Sequence, residues 1–179
     1  MNNVKENIAR MVELIDELLI VSKIEQGEFP MHKKEISLRD LIEDLISRYK
    51  VFAEASHIDL TFSVQENLPI IFTDPFLIKV VIENLIDNAV RYTRGGGRVE
   101  LGLETKEKRA FFSIKDTGIG IPQKEQKFIF QKFFRAETAL KERTRGSGLG
   151  LYVCKSIIDK AGGSIWFKSE EGKGTTFYF

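Results

Sequence analysis

Four short segments between residues 84 and 175 constrain the fold of the chain more than any other feature. One bears asparagines, Asn84–Tyr92, and three bear glycines: Asp116–Pro122, Gly146–Leu151 and Gly172–Thr175. One short glycine motif alone carries little information, because such motifs recur by chance. Four segments in this order, on or between predicted helices and strands, indicate that separate loops come together at one site.

The bulk composition limits the class of protein. With 179 residues, 42% hydrophobic and 30% charged, the chain can form one domain with a full core and an appendage. A net charge of +1 gives no field that attracts nucleic acid, so we expect no nucleic-acid partner. The single cysteine, Cys154, excludes an internal disulfide and a cysteine-cluster metal site. No apolar run approaches the ~20 residues of a membrane span, so we expect a cytoplasmic chain.

Residues 3–26 predict an amphipathic helix. The apolar stripe along this helix either packs on its own domain or joins partner helices in an intermolecular bundle. Gly27 and Pro30 favour the bundle, because they separate the helix from the rest of the chain. We therefore divide the chain into 1–27, a linker at 28–36 and a domain at 37–179. The apolar stripe is Val4, Ile8, Met11, Ile15 and Leu18, widened by Val12 and Leu19.

The pattern of residues 37–179 predicts an α+β domain. Ser37 is a candidate N-cap for one helix, and Asp74 followed by Pro75 opens the asparagine-bearing helix. A third helix is expected at 148–161. Together with the strands, these helices predict a two-layer α/β sandwich, in which about three helices cover a mixed, mostly antiparallel sheet. The expected strands are 34–37, 58–64, 70–73, 98–104, 109–115, 164–169 and 175–179.

The asparagine-bearing helix contains residues that are unfavourable in a helix. Asn84 and Asn88 lie one turn apart along the border of an apolar face, although asparagine has poor helix propensity. Such an inconsistency suggests a functional position. An amide oxygen can ligate Mg²⁺ beside phosphate oxygens, Arg91 can meet a phosphate, and Tyr92 can contact a nucleoside. The alternative, that both amides only bond neighbouring backbone, loses weight beside the glycine motifs.

The first glycine segments suggest parts of the same ligand. Asp116 ends a predicted strand, and its carboxylate can accept a hydrogen bond from an exocyclic amine, which selects adenine over guanine; an ordinary Asp-Thr-Gly turn is the alternative. Gly146–Leu151 leads into a helix whose backbone N–H groups suit phosphate oxygens. Its spacing fits neither a P-loop nor a dinucleotide fingerprint.

The stretch between these segments is expected to be a mobile lid. After Phe128–Arg135 it is polar up to Arg145 and shows no apolar periodicity. Its cations Lys141, Arg143 and Arg145 either hold a γ-phosphate or form a solvated charge run. Phe133 and Phe134 are expected to anchor the lid or to contact another domain, rather than to touch the ligand.

Together, these segments resemble the N, G1, F, G2 and G3 boxes of the ATP-binding catalytic domain of bacterial sensor histidine kinases, a Bergerat-type fold of the GHKL superfamily. The resemblance implies ATP and Mg²⁺ as cofactors, with Asn84 and Asn88 as metal ligands. It also places Thr175 and Thr176 at the pocket floor. The ATP-binding residues that it implies are Asn84, Asn88, Arg91, Tyr92, Asp116, Gly118, Gly120, Ile121, Arg135, Gly146, Ser147, Gly148, Leu149, Gly150, Leu151 and Thr176.

The first helix is similar to the second helix of the family's dimerisation and phosphotransfer bundle. The family's phosphoacceptor histidine lies on the preceding helix, and neither His32 nor His57 stands in a matching context. No catalytic residue is therefore assigned here, and we expect a piece of a longer protein that does not phosphorylate itself efficiently. The implied partners are the phosphotransfer helix of the same or a partner subunit and a response-regulator receiver domain, within a homodimer that can be anchored in the bacterial inner membrane.

Two other functions stay open. Hydrolytic GHKL ATPases resemble this fold but carry a glutamate where this chain has Asn84, so we expect very slow hydrolysis. A non-catalytic module that senses ATP or docks a partner is the second alternative, which an affinity measurement would separate. A serine-kinase anti-sigma relative is less favoured because it leaves the first helix unexplained.

Overall fold

The structure, a computed structural model, describes residues 2–26, 30–66, 68–107, 109–141 and 146–179. It begins with helix α1, Asn2–Glu25, as the periodicity predicts. A two-stranded antiparallel sheet comes next, formed by β1 (Lys34–Ile36) and β3 (Ile71–Thr73). The backbone N–H of His32 donates to Asp74 Oδ2 at 2.7 Å, which ties the segment before β1 to the residue after β3.

A five-stranded sheet forms one layer of the domain. Its strand order is β2-β4-β5-β7-β6. Only β2 and β4 are parallel among the described strands, and the other pairs are antiparallel, so the sheet is mixed and mostly antiparallel as predicted. The strands are β2 (Asp59–Val64), β4 (Arg98–Lys106), β5 (Arg109–Asp116), β6 (Trp166–Glu170) and β7 (Gly174–Tyr178).

Helices form the second layer, and their starts are set by local chemistry. Ser37 Oγ accepts the backbone N–H of Asp40 at 3.3 Å and caps α2. Asp74 Oδ1 accepts hydrogen bonds from the N–H groups of Phe76 and Leu77 at the start of α3. Pro75, the first residue of this helix, has no N–H group that would need a partner. The helices are α2 (Leu38–Ala55), α3 (Pro75–Tyr92), the short α4 (Glu137–Lys141) and α5 (Gly150–Ala161).

One face of the sheet and the apolar faces of α2, α3 and α5 enclose the core. The helical period puts five apolar residues on the inner side of α3, and all five are buried, which confirms the period: Ile78, Val81, Ile82, Leu85 and Ala89. Alternation along the strands sends every second residue to the opposite, outer face of the sheet. The inner-face residues of β4, β5 and β7 include Val99, Leu101, Leu103, Phe112, Ile114 and Phe177.

In the described part of helix α1, the apolar side chains that pack on the core lie near its C-terminal end. Val21 is buried, and Ile20 and Ile24 pack against the core beside α5. The described side chains of the predicted stripe, Met11 to Leu19, remain between 46% and 62% exposed. The stripe therefore does not pack on its own domain here, and the alternative of a bundle with other helices stays a prediction.

In the part of the chain that the structure describes, no helix has the length and apolar character needed to cross a membrane.

Candidate nucleotide site

A cavity opens between the sheet and the helices, and five separate parts of the chain line it. Asn88 and Tyr92 come from the end of α3, and Asp116 comes from the end of β5. Its other walls are largely apolar, as is usual for a site that holds a small organic ligand. The remaining lining residues are Ala89, Ile119, Gly120, Ile121, Ile129, Phe134, Arg135, Ala136, Thr138, Ala139, Leu151, Thr175 and Phe177.

Asp116 is the acidic group of this cavity. Its Oδ1 accepts the backbone N–H of Gly118 at 2.8 Å and that of Thr175 at 3.1 Å, which fixes the carboxyl group. Burial raises the pKa of Asp116 to about 6, and the two backbone hydrogen bonds oppose that rise. Both hydrogen bonds use Oδ1, so Oδ2 can accept an N–H from a ligand.

The segment after Asp116 lies against β6. The side chain of Gln126 donates to the carbonyls of Ile121 and Ser169, both at 3.0 Å, and the N–H of Ile121 donates to Ser169 Oγ at 2.8 Å. Gly120 has φ of 64°, and a Cβ there would overlap the backbone carbonyl of Glu170. Only glycine fits this approach, which keeps Ile121 at the cavity wall.

A second group of predicted residues adjoins the cavity; we call Asn84, Arg91 and the segment Gly146–Gly150 the glycine-rich side. Asn84 Nδ2 donates to the Val80 carbonyl at 2.9 Å, so its amide is partly used by backbone. Its Oδ1 faces the start of α5, where a Cβ at Gly150 would overlap it. The oxygen, not the nitrogen, is thus presented to the glycine segment.

Arg91 is already engaged by the protein. Its guanidinium forms an ion pair with Asp87, one turn earlier on α3. Burial raises the pKa of the Asp87 carboxyl, while Arg91 lowers it. A Cβ at Gly146 would lie 3.3 Å from Arg91 Nη1, so this cation lies beside the glycine segment as the sequence predicts.

The glycine segment ends at the N-terminus of α5. Ser147 Oγ accepts the N–H of Leu149 at 3.0 Å, and its hydroxyl donates to the Glu17 carboxylate of α1. Leu149, the N-cap residue, offers no side-chain cap. The first N–H groups of α5 are therefore suited to an anionic ligand, helped by the helix dipole.

Most of the predicted site residues come together, and one does not. Gly118 lies directly against the Tyr92 carbonyl, beneath the cavity. Thr176 requires a correction, because it pairs with Lys115 on β5 and points to the outer face of the sheet. The neighbouring Thr175 lines the cavity instead, as the two-residue strand period demands.

The lid prediction can be compared with the structure only in part. Residues 142–145, with Arg143 and Arg145, lie outside the described residues, as does the side chain of Lys141. Residues 137–141 form α4 rather than an irregular loop, and Ala139 is buried in the cavity wall. Phe133 is 65% exposed and Phe134 lines the cavity. That the two rings anchor the lid or contact another domain, rather than touch the ligand, stays a prediction.

Sequence reasoning missed several cavity residues, and only some left a signal. Phe177 left a signal, because strand alternation along β7 puts it on the same face as Thr175, which the motif already placed at the pocket floor. Thr138 and Ala139 left none, because a five-residue helix is too short to show a period.

A divalent ion here would depend on amide and phosphate oxygens. Among the described residues, no group of three histidine, cysteine, aspartate or glutamate side chains could hold a metal. The orientation of the Asn84 oxygen fits a hard cation that keeps most of its ligands from phosphate and water.

Comparison with known proteins places the chain in a family. The family described as "Histidine kinase-, DNA gyrase B-, and HSP90-like ATPase" matches residues 73–179. The adaptive-response sensory kinase SasA of Synechocystis is 35% identical over 94% of this chain and 44% of its own length. The chain therefore belongs to this ATPase family and, within it, is an ATP-binding catalytic domain of the sensor histidine kinase type.

Solved structures of histidine kinases resemble this chain in fold. The catalytic domain of the histidine kinase ThkA is 30% identical, covers 83% of this chain and 94% of its own, and has a TM-score of 0.72. ThkA in complex with the response regulator TrrA covers 98% of this chain and 50% of its own, at 24% identity and a TM-score of 0.72. Full-length ShkA in complex with AMPPNP covers 99% and 37%, at 23% identity and a TM-score of 0.87. The last two show likeness of fold alone.

The chain spans less than half of the length of SasA and about a third of that of ShkA.

Proposed function

We propose that this chain binds Mg²⁺-ATP and presents the γ-phosphoryl group to a histidine outside the 179 residues. The single observation that supports this most is that Asp116 and Asn88 line one cavity and that the glycine-rich side lies next to it. Asp116 would accept the adenine amine, and the glycine segment with Arg91 would hold the phosphates. Asn84 and Asn88 would ligate Mg²⁺, which when bound neutralises phosphate charge.

The chain's own contribution to the reaction would be positioning and charge stabilisation. The bond from the γ-phosphorus to the bridging oxygen breaks and a bond to an imidazole nitrogen forms, with ADP as leaving group. Neither histidine of this chain suits the acceptor role: His32 lies in an extended linker and His57 lies just after the end of α2 with φ of 54°. The acceptor and the base that takes its proton would lie on a phosphotransfer helix of the same or a partner subunit.

The exposed stripe of α1 supports a homodimeric bundle in the full-length protein. A response-regulator aspartate would then receive the phosphoryl group, as the complex of ThkA with TrrA suggests for a relative. We place this domain in the cytoplasm, attached to a parent protein that can be anchored in the inner membrane.

Hydrolysis of ATP is a weaker candidate function. Position 84 is asparagine, which cannot act as a general base. The adjacent Glu83 pairs with Arg48 and Lys79, both at 3.7 Å, and is not among the cavity-lining residues. We therefore expect very slow hydrolysis, and rapid steady-state phosphate release by the purified chain would contradict this.

Calorimetric titration with and without Mg²⁺ tests the proposed function. Wild type should bind ATP but not GTP, and Mg²⁺ should strengthen binding. Asn88→Ala should lose about ten-fold in Mg²⁺-ATP affinity, because it removes one ligand oxygen, and should lose less without Mg²⁺. A folded wild-type chain that binds no ATP would leave a partner-docking module as the better account.

A further inference from the structure

The short helix α4 forms a roof over the cavity. Ala136, Thr138 and Ala139 all line the cavity, and Ala139 is only 7% exposed. Asp116 and Thr175, which also line the cavity, belong to strands β5 and β7 of the sheet. A ligand in the cavity would therefore lie between a sheet-borne floor and a helix-borne roof.

Glu125 holds this roof in place. Its Oε2 accepts the backbone N–H of Glu137, the first residue of α4, at 3.0 Å, and the whole residue is only 8% exposed. Lys124 lies across the same joint, 3.2 Å from the Glu137 carboxylate and 3.7 Å from that of Glu125. A carboxylate that satisfies a free N–H at a helix start favours one position of that helix.

Thr138 carries a polar group that the protein leaves unused. Its Oγ1 is buried and has no hydrogen-bond partner in the described part of the chain. A threonine within a helix often bonds the carbonyl four residues earlier, which here is that of Phe134, but this bond is not made. Leaving a buried hydroxyl unsatisfied costs free energy, and a hydrogen bond to a ligand in the cavity that Thr138 lines would remove that cost.

We infer that the Thr138 hydroxyl hydrogen-bonds the nucleoside part of the bound nucleotide and so helps to select the ligand from the roof. This inference rests on the proposed function, because it deepens the assignment of the same cavity. The nucleoside is favoured over the phosphates because Thr138 shares the cavity with Asp116, whereas Gly146–Gly150 is not part of its lining. The acceptor is either a ribose oxygen or a ring nitrogen of the base.

Three variants separate a ligand contact from a structural role. Thr138→Val replaces the hydroxyl with a methyl group of similar size, and should weaken Mg²⁺-ATP binding by about five- to ten-fold. Its melting temperature without nucleotide should be unchanged or higher, because an unsatisfied buried group is removed. Thr138→Ser should retain most of the affinity. Thr176→Val, on the outer face of the sheet, is the matched control and should bind like wild type.

Nucleotide analogues identify the acceptor. The loss caused by Thr138→Val should be the same for ATP and ADP. If the Thr138 hydroxyl bonds a ribose hydroxyl oxygen, the loss should disappear with 2′-deoxy-ATP or 3′-deoxy-ATP, since the acceptor is gone. If the loss persists with both analogues, the acceptor is the ribose ring oxygen or a base nitrogen.

Two results would overturn the inference alone: wild-type affinity in Thr138→Val, or a loss for ATP with none for ADP, which would mean a γ-phosphate contact. Both leave ATP binding by the wild-type chain intact, and with it the proposed function. Failure of the folded wild-type chain to bind any adenine nucleotide would overturn both.

Discussion

The cavity and the glycine-rich side are built from different kinds of structure. Asp116 and Thr175 stand on adjacent strands, and backbone hydrogen bonds fix the Asp116 carboxyl group before any ligand is present. On the glycine-rich side, Arg91 is paired with Asp87, and Ser147 donates to Glu17 of α1. A nucleoside would enter a prepared cavity, whereas phosphates would have to displace or share contacts that the protein makes with itself.

From this difference we expect separate tasks for the two regions. Preorganised groups on a sheet select a ligand with little ordering cost, which suits recognition of a base. Charged side chains that exchange protein partners for phosphate oxygens couple binding to the position of the elements that hold them. Because Glu17 belongs to α1, contacts at the glycine-rich side link the nucleotide site to the helix with the exposed stripe.

The largest expected effect is the loss of the Asp116 carboxylate. Asp116→Asn should weaken ATP binding by about ten- to one hundred-fold, since a charge-assisted hydrogen bond to the adenine amine is lost. The loss should be equal for ATP, ADP and adenosine, measured by competition titration, because the contact is to the base. A loss confined to ATP would mean that the two regions are not separate in function.

The next effect is a pH dependence with a defined sign. Burial raises the pKa of Asp116 to about 6, so the ionised fraction falls as the pH falls from 7 to 5. About nine-tenths of the groups are ionised at pH 7 and about one-tenth at pH 5, so base recognition should weaken by about ten-fold. Affinity should therefore rise with pH across this window.

Asp116→Asn serves as the control for this measurement, because ATP itself also titrates. The difference between wild type and the variant should be large at pH 7 and small at pH 5. A difference that does not change with pH would show that Asp116 does not titrate in this range.

The smallest effect should come from the glycine-rich side. Asp87→Asn removes a negative charge near the phosphates and releases Arg91 from its ion pair. We expect ATP to bind about two- to three-fold more tightly, in line with the modest energies of partly exposed ion pairs. Adenosine affinity should not change. Glu104→Asn, which removes an exposed carboxylate on β4, is the matched control, and a tighter adenosine complex in Asp87→Asn would contradict the division.

The fold was largely predictable because its signals are local. Ser37 and Asp74 cap helices with bonds to residues two or three positions later, and strand alternation shows in four to eight residues. The asparagine and glycine motifs likewise led to the glycine-rich side and to Asp116. These patterns need no knowledge of distant contacts.

The features of the fold and of the site that the sequence did not predict depend on tertiary contacts. Helix α4 forms in a stretch without apolar periodicity, and its position depends on Glu125, twelve residues before Glu137. Thr176 was placed in the pocket because the motif names two threonines, but only register against β5 decides which one faces inward. The unsatisfied Thr138 hydroxyl is a property of packing, which no local pattern encodes.

The most direct test of the division between the two regions is a comparison of backbone amide NMR shifts with adenosine, ADP and Mg²⁺-ATP. All three ligands should shift the amides of Gly118, Gly120 and Thr175. The amides of Gly146 to Gly150 should shift little with adenosine and strongly with Mg²⁺-ATP. Equal shifts of both regions with adenosine, or shifts of Gly146 to Gly150 alone, would contradict a prepared nucleoside cavity beside a separate phosphate-binding side.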